Sequence, residues 1–149
     1  MDPAINISPN FQFHELFSSR ICTSYSESFL LKLLDRRLIE ILEELRSDFG
    51  APITVNNWYY GGNLQYRGFR PMSTSVGALY SQHKFGRAID FSLEHLTPAE
   101  IHDHILQNRN ARKFMELGLT RLESHAYTPT WVHFDLAFTG LDEIYVFNP

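Results

Sequence analysis

Two short segments of the chain contain the residue types of a metal centre. In Ser81–Asp90, a histidine and an aspartate, His83 and Asp90, lie seven positions apart with a glycine between them. In Trp131–Asp135, the central residue is His133. Two imidazoles and one carboxylate suit a catalytic Zn²⁺ site, because three protein ligands leave the fourth tetrahedral position open for water. Taken alone, each segment is a weak signal, since a single histidine more often occupies a surface or capping position.

The two segments together are far more specific. The pattern Ser-x-His-x-x-Gly-x-Ala-x-Asp, followed about forty residues later by Trp-x-His-x-Asp, resembles the M15 family of zinc peptidases. These are the D-Ala-D-Ala carboxypeptidases and L-alanyl-D-glutamate endopeptidases, which share a metal core with hedgehog signalling domains. Asn10–Leu16 is similar to the N-terminal segment of the family, and Gln65–Arg70 stands where the family has a Tyr-Arg loop. The resemblance covers most of the chain and is closest to the small, phage-associated branch.

The resemblance implies a hedgehog/DD-peptidase-like fold in which His83, Asp90 and His133 are the zinc ligands. It does not supply the general base directly. Many family members have an Asp or Glu three residues before the last histidine, where this chain has Thr130. A threonine hydroxyl is not basic near neutral pH, so another carboxylate must take this role.

Two carboxylates are candidates for the base. If the two closing segments form a hairpin, Glu123 lies opposite residues 131–133, although a register shift of one would turn it to the other face. Asp135 follows His133 by two and therefore shares its face of the strand. Asp135 has two further interpretations: it could orient a ligand imidazole through the nitrogen that does not bind metal, or form a salt bridge with a basic residue such as Arg87 or Arg121.

Arginines and aromatic residues near the motif suggest how a substrate is held. Arg70, rather than Arg67, is the preferred group to grip a substrate carboxylate or stabilise an oxyanion, and the alternative is a surface arginine stacked on a neighbouring ring. His125 shares the predicted face of Glu123 and is a weaker candidate for an oxyanion contact. Six aromatic residues are candidates for a groove floor, or for packing under a long loop: Trp58, Tyr59, Tyr60, Tyr66, Phe69 and Tyr80.

Local sequence patterns predict the elements that position these side chains. A capping box, Ser24-x-x-Glu27, and an apolar stripe predict one long amphipathic helix that ends at Gly50. Thr97-Pro-Ala-Glu100 predicts a helix to about Gln107. The remaining predictions are a strand at Pro52–Trp58, a long loop at Tyr59–Leu79, a helix at Asn110–Met115, a hairpin of Leu119–Ser124 with Trp131–Leu136, and an edge strand at Glu143–Phe147.

Length and composition limit the class of protein. The 149 residues fit one domain at roughly 100–200 residues per domain, here residues 1–149, with residues 1–23 as an N-terminal lead-in. The expected fold is α+β, a small antiparallel sheet flanked by helices. The net charge of −4 argues against a nucleic-acid partner, and no apolar run approaches the roughly 20 residues of a membrane span. The only cysteine, Cys22, cannot form an internal disulfide and is expected to be buried.

Together with the candidate metal ligands, the resemblance to the M15 family implies a zinc metallopeptidase that hydrolyses an amide bond in peptidoglycan stem peptides, as carboxypeptidase or endopeptidase. The N-terminus lacks the layout of a secretory signal, so we expect synthesis in the cytoplasm and action on the cell wall after lysis-type release or from a phage particle. The alternative is a phage structural or assembly protein, in contact with other particle proteins, that keeps the zinc-binding fold without efficient catalysis. Thr130 is the residue that favours this alternative.

Overall fold

The structure is a computed structural model that describes residues 1–149 and forms a single α+β unit. Its five strands are β1 (Ile53–Thr54), β2 (Ala88–Leu93), β3 (Arg121–Glu123), β4 (Val132–Asp135) and β5 (Tyr145–Phe147). They form one sheet in the order β1-β2-β4-β3-β5. All neighbours are antiparallel except β3 and β5, which are parallel. The α+β class is therefore confirmed, but the sheet is mixed rather than purely antiparallel.

Six α-helices accompany the sheet, and none is long and apolar enough to cross a membrane. The connection between β1 and β2 contains two short 3₁₀ helices, at Trp58–Tyr60 and Gln82–Phe85. The α-helices are α1 (Phe13–Leu16), α2 (Ser19–Ser24), α3 (Glu27–Leu33), α4 (Arg36–Phe49), α5 (Pro98–Leu106) and α6 (Asn108–Glu116).

The prediction of one long helix ending at Gly50 is wrong at its N-terminal half. The chain breaks between α3 and α4 at Asp35, whose side chain caps α4 by accepting from the Arg37 N–H at 3.1 Å. The Asp35 N–H itself donates to the carbonyl of Gly86 at 2.8 Å, a tertiary bond that a continuous helix could not make. The predicted capping box is also wrong, because Ser24 ends α2 and Glu27 begins α3 after Ser26. Gly50 ends α4 as expected.

The other local predictions are confirmed in full or in part. The capping box of α5 is confirmed, with the Glu100 N–H donating to Thr97 Oγ1 and the Thr97 N–H donating to Glu100 Oε2. The predicted helix at Asn110–Met115 is confirmed as α6 with slightly wider bounds. The predicted strand at Pro52–Trp58 is reduced to the two residues of β1, since Trp58 begins a 3₁₀ helix. The predicted hairpin and edge strand are present as β3, β4 and β5.

The sheet separates an apolar face from a polar one. Neighbouring residues on a strand point to opposite faces, and Ile89, Phe91 and Phe134 belong to one cluster of 28 buried hydrophobic side chains. The same cluster includes α4 side chains and Cys22, which is buried as predicted. Apart from Ala88, the alternate positions of β2 and β4 carry polar residues, so the opposite face of these central strands is free to hold a site.

Candidate metal centre

A tight turn fixes His83 beside the central strands. The 3₁₀ helix at Gln82–Phe85 ends at Gly86, whose φ of +67° lies in the left-handed region that favours glycine. A side chain at Gly86 would overlap the carbonyl oxygen of Leu33. The glycine of the motif therefore meets two demands, the left-handed turn and the close approach of the α3 terminus.

Asp90 and His133 lie at the middle of the sheet. Asp90 is on β2 and His133 is its direct partner on the antiparallel strand β4. Both point away from the apolar core, toward the face where the turn carries His83. The side chains of all three residues are at most 10% exposed, so they meet in a largely dry environment.

The three side chains form a compact triangle of potential ligand atoms. His83 Nε2 lies 3.1 Å from Asp90 Oδ1 and 3.2 Å from His133 Nδ1. His133 Nδ1 lies 2.7 Å from Asp90 Oδ1. These spacings allow one ion to contact all three atoms at distances near 2 Å, as expected for Zn²⁺ with nitrogen and oxygen ligands. A buried group that could hold a metal ion is thus present.

In each histidine, the ring nitrogen that faces away from the triangle is hydrogen-bonded to an acceptor. In a neutral ring, the nitrogen that faces into the triangle is then itself an acceptor. His83 Nδ1 lies 2.8 Å from the carbonyl oxygen of Gly68, which can only accept, so Nδ1 carries a proton. His133 Nε2 lies 3.1 Å from Asp135 Oδ2 and is assigned as donor on the same grounds. When both imidazoles are neutral, as metal binding requires, the lone pairs of His83 Nε2 and His133 Nδ1 point toward Asp90 Oδ1. Three buried acceptors at one point need a cation, and this donor set fits a divalent metal.

The electrostatics of the triangle favour one positive charge. Burial lowers the pKa of His133, but its hydrogen bonds to Asp135 and Asp90 outweigh this effect and raise the pKa to about 9. Burial lowers the pKa of His83, against the opposing charge of Asp90. The two histidines hold the pKa of Asp90 well below its usual range in spite of its burial. A single cation among these groups, proton or metal, therefore balances the site.

Arg70 lies behind Asp90. Its Nη2 donates to Asp90 Oδ2 at 2.8 Å, and its Nε donates to the Tyr66 carbonyl. This ion pair occupies one carboxylate oxygen and leaves Oδ1 for the triangle. Arg67 points elsewhere: its Nη1 donates to Ser92 Oγ at 3.1 Å, and it does not line the cavity described below. Arg70 is thus the arginine that the structure brings to the centre.

Asp135 makes both of the contacts considered from its sequence position. Its Oδ2 accepts from His133 Nε2, and its two oxygens accept from Arg121 Nε at 2.8 Å and Nη2 at 2.7 Å. The salt bridge is therefore with Arg121, not Arg87. Hydrogen bonds to His133 and Arg121 outweigh burial and lower the pKa of Asp135. With its side chain fully buried and both oxygens occupied, Asp135 is placed to orient His133.

Glu123 lies on the same side of the sheet as the triangle. The observed register pairs Leu122 with Phe134, so the next position along the hairpin sets Glu123 opposite His133. Its half-buried side chain lines the cavity with His133 and Asp90. Burial raises the pKa of Glu123, partly offset by the positive charge of His133 and of Arg70. A carboxylate with a raised pKa beside a metal centre is suited to general-base chemistry.

The triangle opens into a cavity of about 470 Å³. Of the six aromatic residues proposed as a groove floor, only Tyr80 lines it. Phe69 is buried in the apolar cluster. Trp58, Tyr59 and Tyr60 gather around the His14 ring, and Tyr66 likewise lies outside the lining. The aromatic walls are instead Tyr80, Trp131 and Phe147.

Two other positions lie outside the cavity. Thr130 is exposed in the turn that precedes β4 and does not line the cavity. His125 is exposed, its ring meets His102 edge-on at 5.3 Å between centroids, and it does not line the cavity. The structure therefore does not bring this weaker candidate for an oxyanion contact to the centre. Arg121 and Phe147 were missed as site residues. The strand period would have placed Arg121 on the face of Glu123, whereas nothing in the sequence indicated that β5 would bring Phe147 to His133.

Comparison of the chain with protein-family models, with curated proteins and with solved structures finds no match for any of them.

Proposed function

We propose that this chain is a zinc-dependent peptidase, related to the M15 family, that hydrolyses an amide bond in peptidoglycan stem peptides. The observation that carries the proposal is the convergence of three buried lone-pair donors, His83, Asp90 and His133, beside the half-buried carboxylate of Glu123. Each of the three donors has its outer polar atom held by another group. Such fixing of ligands is typical of catalytic metal sites.

Glu123 is the residue we assign as general base. Bound zinc supplies a Lewis acid that polarises the scissile carbonyl and makes water more acidic. Glu123 lines the same cavity from the opposite strand of the hairpin and accepts the proton of the attacking water. It then returns a proton to the leaving amine. Asp135 is the alternative base, but its two oxygens already accept from Arg121 and His133, which favours an orienting role.

Arg70 is the residue we assign to the negative charge that develops on the substrate. Its Nε and Nη2 are engaged by Tyr66 and Asp90, which leaves Nη1 as a donor toward the cavity. The same ion pair holds Asp90 in its ligand orientation. Arg70 therefore has a structural bond on one side and a substrate contact on the other.

An open cavity with aromatic walls suits a peptide substrate. Tyr80 and Trp131 offer flat surfaces for side chains of a stem peptide, and Ser81 and Gln82 offer polar contacts. The acidic net charge does not suit nucleic acid. We further propose that the protein reaches the cell wall after lysis-type release or as part of a phage particle.

One observation favours a second candidate, a phage structural or assembly protein that keeps the metal centre without efficient catalysis. Thr130 stands where many M15 members have their acidic residue, and it is exposed outside the cavity. On this alternative, Glu123 is a polar wall residue rather than a base.

Release of fragments from purified peptidoglycan, with product masses as readout, separates the two candidates. We expect zinc-dependent release by the wild type. We expect a loss of about 10²–10⁴-fold for Glu123→Gln, which removes the base while keeping the size of the side chain. His133→Ala should abolish release together with zinc binding.

The matched control is His104→Ala, which removes a histidine from a polar cluster far from the cavity and should retain activity. Equal, background release by the wild type, Glu123→Gln and His133→Ala, with the wild type fully loaded with zinc, would contradict the peptidase and favour the assembly protein.

A further inference from the structure

Arg121 links the metal centre to the edge of the sheet. It lies on β3, and its guanidinium grips Asp135 with two hydrogen bonds, from Nε at 2.8 Å and from Nη2 at 2.7 Å. Asp135 in turn accepts from His133 Nε2 at 3.1 Å. One continuous set of polar contacts therefore runs from Arg121 through Asp135 to Nε2 of His133, the nitrogen that faces away from the triangle.

Phe147 holds the other side of this arginine. The Arg121 guanidinium lies 4.4 Å from the centroid of the Phe147 ring, within the range of a cation–π contact. The Phe147 ring also meets the His133 ring edge-on, with centroids 5.9 Å apart. Because β5 pairs in parallel with β3, the edge strand supplies a wall that confines both the guanidinium and the imidazole.

The contacts of Asp135 show why an arginine is needed here. The side chain of Asp135 is fully buried, and its Oδ1 also accepts the Ala137 N–H at 3.0 Å. A buried carboxylate needs a cationic partner. A planar guanidinium that bonds both oxygens also fixes the plane of the carboxylate, which a lysine ammonium does not do.

We propose that Arg121 is a positioning residue for the metal centre: clamped between Phe147 and Asp135, it holds the carboxylate that sets the orientation of His133. The inference rests on the proposed metal-dependent function and adds a residue that touches neither metal nor the ligand atoms. It assigns the edge strand β5 a role in metal affinity through Phe147.

The test measures metal affinity rather than turnover. Dissociation constants for Zn²⁺ and Co²⁺ are determined by competition with a chromophoric chelator for the wild type, Arg121→Met, Arg121→Lys and Phe147→Leu. We expect affinity to fall by about 10–100-fold in Arg121→Met, as for other residues that hold a ligand imidazole in place. Arg121→Lys keeps the positive charge but not the two-pronged guanidinium contact with Asp135, so its metal affinity should lie between those of the wild type and Arg121→Met. Phe147→Leu should show the smallest loss of metal affinity.

The visible spectrum of bound Co²⁺ adds a second readout, because it responds to ligand orientation. We expect the Co²⁺ bands to shift in Arg121→Met. The matched control is Lys113→Met. It removes another cation that is bonded to carboxylates, but Lys113 does not line the cavity. The metal affinity and the Co²⁺ spectrum should both be unchanged.

The outcomes separate this inference from the proposed function. Wild-type affinity and an unshifted Co²⁺ spectrum in a folded Arg121→Met protein would overturn the role of Arg121 and leave the metal centre standing. If Arg121→Met does not fold, Arg121→Lys decides: weakened affinity supports the inference, and wild-type affinity overturns it. A wild type that binds neither ion would overturn the proposed function and this inference with it.

Discussion

Two polar clusters of the molecule combine histidine with carboxylates, yet only one of them is a buried group of potential ligand atoms that could hold a metal ion. The first is the triangle of His83, Asp90 and His133. The second, here called the helix cluster, joins Glu44 and Asp48 of α4 to His104 of α5 and Lys113 of α6. In the helix cluster Lys113 Nζ bonds both oxygens of Asp48, at 2.8 and 2.7 Å. His104 Nε2 lies 2.7 Å from Asp48 Oδ2.

The difference lies in the balance of donors and acceptors. In the helix cluster Lys113 also reaches Glu44 at 2.9 Å, so an ammonium of the chain itself supplies the positive charge. In the triangle the cations of the chain, Arg70 and Arg121, bond the outer sides of Asp90 and Asp135. No lysine or arginine of the chain reaches the centre of the triangle, where the positive charge comes from a proton on His133 or from a metal ion. Residue types alone therefore do not distinguish the two clusters. They differ because a lysine of the chain neutralises the carboxylates of the helix cluster, whereas no lysine or arginine occupies the centre of the triangle.

Removing a histidine from each cluster gives the largest contrast. The wild type should carry about one zinc per chain. His83→Ala and His133→Ala should each reduce this to background, because two protein ligands do not retain the ion through dialysis, and His104→Ala should stay fully loaded. Elemental analysis of the dialysed proteins measures the contents. Stoichiometric zinc in either ligand variant would remove that histidine from the site.

Two glycines with a left-handed φ, Gly86 and Gly50, give a second contrast, because only Gly86 is closely packed against another part of the chain. We expect Gly86→Ala to lower the free energy of unfolding by about 2–5 kcal/mol, since it combines a left-handed φ with an overlap against Leu33. Gly50→Ala, at the end of α4, has a φ of +60° but open space around it, so about 1–2 kcal/mol is expected. Urea denaturation of both variants provides the comparison. Equal losses would show that the packing at Gly86 is less tight than the structure indicates.

Metal removal should destabilise the protein only through the triangle. At a free zinc concentration of 100 times Kd, binding stabilises the folded state by about 2.7 kcal/mol, which corresponds to about 5–10 °C in Tm for a chain of this size. Calorimetry with and without chelator should show this shift for the wild type and for His104→Ala. His133→Ala should show no shift, and a shift of similar size in that variant would place the stabilising ion elsewhere.

The smallest effect is expected in the helix cluster. Lys113→Met removes contacts that are partly exposed to solvent, and such pairs are each worth about 0.2–1 kcal/mol. Chemical denaturation should therefore show a loss of at most about 1–2 kcal/mol, with zinc content unchanged. A loss of zinc on this substitution would break the distinction between the two clusters.

Local rules predicted the elements whose signals are complete within a few residues. The capping box of Thr97 and Glu100 begins α5, and the alternating segments at each side of residues 125–130 pair as a hairpin in the register that sets Glu123 opposite His133. The break at Asp35 could not be predicted in this way. It is stabilised by the bond from the Asp35 N–H to Gly86, which lies far along the chain, and an apolar stripe carries no information about that partner.

The candidate site, like the fold, could be predicted from the sequence only in part. The three residues of the triangle were predicted from their types together with the motif resemblance. The structure brings them together because strand pairing sets Asp90 beside His133 and a glycine turn adds His83. The contacts that surround the triangle could not be predicted from the sequence. Phe147 reaches His133 only because β5 joins β3 in parallel. Most of the aromatic residues considered for a groove floor pack elsewhere, with Trp58, Tyr59 and Tyr60 around the His14 ring. Tertiary contacts of this kind leave no local pattern in the sequence.

The central claim is that one divalent ion sits among three acceptors of the sheet face. Anomalous diffraction at the zinc absorption edge, from crystals of the full chain grown with zinc, tests it directly. The account predicts a single strong peak within about 2 Å of His83 Nε2, Asp90 Oδ1 and His133 Nδ1. The absence of a peak there, or a peak at the helix cluster instead, would contradict the account.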